Sequence, residues 1–140
     1  MTDSNIRTAV AAWLSDASAA EATYGHISTW ATGGVTDLSE LFCASSSSCD
    51  YYNSAAASFN EDIGAWDTSG VTTMAVMFSN YASAFNQDIG GWAVHSVTDM
   101  SYMFRGAKAF DQDIGGWAVH SVTDMEGMFR GAKAFDQDLG

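Results

Sequence analysis

The residues in this chain best suited to chemistry are carboxylates, two cysteines and two histidines, and most of them recur at a fixed spacing. Asn60/Asp62, Asn86/Asp88, Asp111/Asp113 and Asp136/Asp138 lie two apart in a repeated F-[ND]-x-D motif. In an extended arc, residues i and i+2 share a face, so stacked copies would form two acidic columns with carboxylates about 5 Å apart. Like charges at that spacing repel unless something neutralises them. Calcium, a hard cation that collects oxygen ligands, would bridge such a ladder through Asp88, Asp111, Asp113, Asp136 and Asp138. The competing reading is that one column caps turns through nearby backbone N–H groups, while Arg105, Lys108, Arg130 and Lys133 balance the remaining charge.

Cys43 and Cys49 bracket a run of four serines. They form either a local disulfide pinning a surface loop or two free thiols of a reducing compartment. The serine-rich loop and the absence of metal-type partners point to the disulfide. A zinc site would need a second pair and a shorter spacer. His95 and His120 recur one copy apart but lack a third ligand, and they read as a solvated pair. The column Thr36, Thr72, Thr98, Thr123 is one residue wide, too narrow for an ice-matching face. No Ser-His-Asp set, phosphate loop or isolated carboxylate pair stands out, and identical ladders argue against a unique asymmetric site. Catalysis is therefore not expected, nor any cofactor other than calcium.

The elements that must position these residues follow from an internal repeat. Phe85 to Ala109 and Phe110 to Ala134 are 25-residue copies that differ only at Asn86/Asp111, Ser101/Glu126 and Tyr102/Gly127. Residues 59–84 form a looser copy of 26 residues, 27–58 a degenerate one that swells into the cysteine loop, and 135–140 a partial one. Stacked copies align Phe59, Phe85, Phe110 and Phe135, and likewise Trp30, Trp66, Trp92 and Trp117. Val, Met and a second Phe column follow. Such columns are core, since a coil cannot bury its apolar side alone and must repeat the same inward residues.

Within a copy, Val97, Met100, Met103, Phe104 and Ala107 follow helical spacing behind a capping-box sequence, Ser96 to Asp99, and Gly106 suits a helix exit. Ile89 to Val94 alternates around two glycines and reads as a short strand pairing with its counterparts. The fold class expected is an α/β repeat solenoid, leucine-rich-repeat-like, with a short parallel strand and a short helix per coil. Residues 1–26 stand outside the period and read as an N-terminal helical cap, with Ile6, Ala9, Val10, Trp13 and Leu14 on one helix face, before a repeat region over 27–140. No matching cap follows. The last coil would then expose Trp117, Val122, Met125, Met128 and Phe129, an interface for an end-to-end homodimer.

The hydrophobic fraction of 47% supports a real core, and a net charge of −12 repels nucleic acid and anionic membranes. No apolar run is long enough to span a bilayer and Met1 to Ser4 is no signal peptide, so the chain as it stands reads as soluble.

The pattern F-[ND]-x-D-I-x-x-W-x-x-x-x-V-T-x-M-x-x-M-F, running from Ile27 to Gly140, resembles the BspA-like leucine-rich-repeat surface proteins, whose repeat is also catalogued as a domain of unknown function in mycoplasma lipoproteins. The resemblance implies a repeat fold that is secreted or on a cell surface, and an adhesin-like, non-catalytic role in binding protein or glycan. It carries no catalytic residues.

Overall fold

The computed structural model describes residues 1–46 and 49–139; Ser47 and Ser48 of the serine run, and Gly140 of the last partial copy, lie outside the described residues. Two helices open the chain, α1 (Asp3–Ser15) and α2 (Ala17–Tyr24), and two short 3-10 turns follow at Ile27–Thr29 and Ser54–Ser58. Thr2 caps α1 in a full capping box with Asn5, and Asp16 ends α1 while its side chain caps α2 through the Ala19 amide. Helix α1 buries Ile6, Ala9, Val10 and Trp13 against the first coil.

From residue 27 onward the chain winds into stacked coils, and among the described residues these contain neither an α-helix nor an extended strand. The α/β reading, leucine-rich-repeat-like with a strand and a helix in every coil, is thereby overturned. Neighbouring coils share only a single parallel bridge each, Asp37 to Thr73, Thr73 to Asp99 and Asp99 to Asp124. These bridges lie in the arc expected to be helical, and none lies in the arc expected to be a strand.

The reason is visible in the backbone. Over 100–107 the amides of Met103, Arg105 and Ala107 each bond the carbonyl three residues back, at 3.3, 3.2 and 3.0 Å. The alternating amides of Met100, Tyr102, Phe104 and Gly106 turn outward and bond the carbonyls of Asp124, Glu126, Met128 and Arg130 in the next coil, at 2.8 to 2.9 Å. Tyr102 and Gly106 have φ of 54° and 70°, left-handed values that no α-helix contains. A chain of three-residue turns keeps nearly the same inward period as a helix, so Val97, Met100, Met103, Phe104 and Ala107 are all buried. Apolar spacing cannot separate the two.

Ile89 to Val94 forms a turn rather than a strand, closed by the Trp92 amide on the Ile89 carbonyl at 3.1 Å. Its link to the preceding coil is made by a side chain: the Trp92 indole donates to the Ile63 carbonyl at 3.0 Å, as Trp66 does to Ile27 and Trp117 to Ile89. The coils approach so closely here that a Cβ on Gly90 would stand 2.6 Å from the Asp113 carbonyl oxygen. Two interleaved phenylalanine columns run through the core. Phe78 stacks on Phe104 at 5.7 Å and Phe85 on Phe110 at 6.1 Å, while each coil's own pair, such as Phe104 and Phe110, meets at 4.1 Å.

Candidate functional site

The acidic columns are ordered by backbone bonds. Asn60, Asn86 and Asp111 each take the amide of the same position one coil on, at 2.9, 2.9 and 3.0 Å. The neighbouring glutamines Gln87, Gln112 and Gln137 reinforce this ladder with side-chain amides. The Asp136 amide, with Gln137 second, lowers the Asp111 carboxyl below its ordinary value. Asp62, Asp88 and Asp113 form the other column, and each accepts from the glycine two residues later at 2.8 to 2.9 Å. At the chain's end Asp136 and Asp138 are exposed. Among the described residues no three His, Cys, Asp or Glu side chains converge as a cation would require.

Cys43 and Cys49 are joined and buried at the first coil. The segment beyond them folds back so that the Asn53 amide meets the Cys43 carbonyl at 2.9 Å, and the Glu40 carboxylate accepts from the Asp50 and Tyr51 amides. His95 and His120 are exposed. After Thr36, each threonine of the column bonds the threonine carbonyl one coil back, Thr72 on Thr36, Thr98 on Thr72 and Thr123 on Thr98, through amide and hydroxyl together. The ends of the expected interface differ among themselves: Trp117 and Met128 are buried, Val122 and Phe129 half-buried, and Met125 is 45% exposed.

This register also accounts for two of the three differences between the twin copies. The Glu126 carboxylate beside the Tyr102 hydroxyl raises its pKa, and the ring lies where a Cβ on Gly127 would be, 2.5 Å from Cε1. A tyrosine in one coil therefore leaves room only for glycine at the equivalent position of the next, with Glu126 beside its hydroxyl.

Sequence reasoning spread the cations as partners for the acidic columns. The structure instead gathers four of the five Lys and Arg residues, Arg105, Lys108, Arg130 and Lys133, along one open groove of about 530 Å³ with Asn80 and Tyr81. No carboxylate lines it. None of the four forms a salt bridge among the described residues, whereas Arg7 pairs with Asp37 at 3.3 Å. Lys108 stands 5.8 Å over the ring of Tyr81, which is 59% exposed. The signal available beforehand was that Arg105/Arg130 and Lys108/Lys133 occupy equivalent places in successive copies, and so must stack.

A family model described as "Mycoplasma protein of unknown function, DUF285" matches residues 12–140. The chain belongs to this DUF285 family. Its match takes in the coil stack and most of the helical cap, so the ladder geometry above is geometry of the DUF285 region. No curated protein and no solved structure matches the chain. Among the described residues no helix of this DUF285 chain is long and apolar enough to cross a membrane.

Proposed function

We propose that this chain is a non-catalytic interaction module that binds an acidic glycan in the cationic groove between Tyr81 and Lys133. The observation that carries the reading is the segregation of charge: four cations without a salt bridge among the described residues line one groove of a molecule whose net charge is −12. Two columns of like charge, each stacked at about the 5 Å coil spacing, repel each other until an anion lies between them. The surrounding acidic surface steers polyanions away from every other face and leaves this groove as the place they can settle. Tyr81 adds an exposed ring beside the charges, a platform suited to a sugar face more than to an acidic peptide. The likeness of the repeat pattern to BspA-like surface proteins supports the same role and a place on a cell surface or outside the cell.

Calorimetry with a sulfated oligosaccharide tests this. Binding should be saturable and weaken as salt rises, and reversing Lys108 and Lys133 to Glu should lower affinity at least tenfold while the melting temperature stays within about 2 °C, as expected for exposed side chains. Equal affinity of the reversed variant would contradict the groove. A neutral oligosaccharide bound as tightly would contradict the charge argument, and preference for an acidic peptide would replace the glycan with a protein partner.

A further inference from the structure

The cation rows stop at the coil of residues 59–84, and they stop on an inserted residue. Ser79 and Ser83 hold there the places that Arg105 and Lys108 hold one coil on, so this coil brings no charge to the groove. It brings Tyr81 instead. The tyrosine is the extra residue of the 26-residue copy, lying between Asn80, which matches Gly106, and Ala82, which is buried like Ala107. Asn80 and Tyr81 both take left-handed φ, 53° and 74°. Two such residues in a row are costly for side chains other than glycine and persist only where the surroundings fix them. Here the chain is fixed on both sides. The Asn80 amide donates to the Arg105 carbonyl at 2.9 Å, its side-chain amide lies 3.8 and 3.7 Å from the sulfurs of Cys43 and Cys49, and the Ala84 amide donates to the Ala57 carbonyl at 3.2 Å. The ring itself takes no part in the core, being 59% exposed with the Lys108 ammonium 5.8 Å from its centre.

Along the stack the groove therefore has an order: an uncharged aromatic surface at Tyr81, then Arg105 with Lys108, then Arg130 with Lys133. Successive coils lie about 5 Å apart, close to the advance of one sugar along an extended glycan. We infer that the groove reads its acidic glycan in one fixed register, an uncharged sugar stacked on Tyr81 followed by two sugars that each carry two anions, one pair for each charged coil. The inference rests on the glycan reading given above and names the pattern that ligand must carry. Tyr81 is the specificity-determining residue. The two charged coils are copies of one another, so on their own they accept an anionic stretch in either direction and shifted by one sugar. Only the ring breaks that degeneracy. A charged sugar at Tyr81 would have to share Lys108 with its neighbour and would lose hydration without a counter-charge of its own.

Calorimetry with three synthetic ligands on one backbone tests this: a disaccharide with two sulfates on each sugar, and the two trisaccharides that add an unsulfated sugar at one end or at the other. One trisaccharide should bind at least about fivefold tighter than the disaccharide, comparable to the weight of one aromatic pair, and the other should gain nothing. The gain should persist at high salt, because the added sugar brings no ion pair. In NMR the protons of that uncharged sugar alone should shift upfield under the Tyr81 ring. In Tyr81→Asn, which keeps a residue tolerant of left-handed backbone, the disaccharide and the trisaccharides should bind alike, while Tyr81→Phe keeps the gap. Deletion of Tyr81 restores the 25-residue length of the twin copies and gives a second variant with the same expectation as Tyr81→Asn. Equal affinity of all three ligands, or a gain that survives Tyr81→Asn, would overturn the register and leave the cationic groove standing. Absence of binding by all three, or binding that Lys108→Glu with Lys133→Glu leaves unchanged, would overturn the groove reading and the register with it.

Discussion

Trp92 shows how much one side chain does in this architecture. Its ring lies in the column with Trp66 and Trp117, it is 4% exposed, and its indole N–H replaces a backbone donor in the bond to Ile63. Truncation removes apolar contacts and one of the two bonds that the Ile63 carbonyl accepts, the other coming from the Trp66 amide. Trp92→Ala should cost about 3–5 kcal/mol. Trp92→Phe keeps much of the volume but not the N–H, and should cost about 0.5–1.5 kcal/mol, the net contribution of one hydrogen bond. Urea denaturation of both variants checks this, and a Trp92→Phe stability equal to that of the parent would mean that the hydrogen bond contributes nothing. The column was readable in the sequence because a large, rare residue recurs at one offset. The indole bond was not, because nothing in a spacing says that a side chain will stand in for the main chain.

At the scale of elements, the helical cap works by matching polarity. The Asp3 carboxylate accepts from the Thr36 hydroxyl and amide at 2.6 and 2.7 Å and from the Asp37 amide at 3.1 Å, taking the place that a preceding coil's threonine carbonyl would occupy. Thr36, chiefly through its hydroxyl, lowers the Asp3 pKa below its ordinary value. A carboxyl depressed in the folded state contributes stability that is fully present above its unfolded value, near 4, and is lost as pH falls through the lower folded value. Thermal melts should therefore show a loss of stability as pH falls below about 4 that is smaller in Asp3→Asn; an identical pH profile in the variant would detach Asp3 from the cap. The coils themselves were misread at this scale. Val97, Met100, Met103 and Phe104 satisfy helical spacing, yet the positive φ at Tyr102 and Gly106 makes three-residue turns of the same arc. The written hint was the glycine pair Gly127 and Gly131, which sit at the left-handed positions of the next coil, although Gly131, like Gly106, reads equally well as a helix exit.

For the whole molecule, stacking turns small local choices into continuous columns. The apolar ones join with α1 in a single core from Ile6 to Met128, and the polar ones place the cations in one groove. The period of the sequence made the columns legible, since Phe85 and Phe110 must superpose if the copies do. It could not reveal which columns face one another across the surface, because that depends on how each turn aims its side chains. Spacing alone therefore pairs Lys108 and Lys133 with the acidic ladder, whose carboxylates bond backbone amides instead.

The account rests on amides that cross between coils in place of helical or strand bonds, and hydrogen-bond scalar couplings read that pairing directly. NMR on labelled protein should show the amides of Met100, Tyr102, Phe104 and Gly106 coupled to the carbonyls of Asp124, Glu126, Met128 and Arg130. Couplings from Phe104 to Met100 and from Arg105 to Ser101, the i to i−4 pattern of a helix, would contradict it.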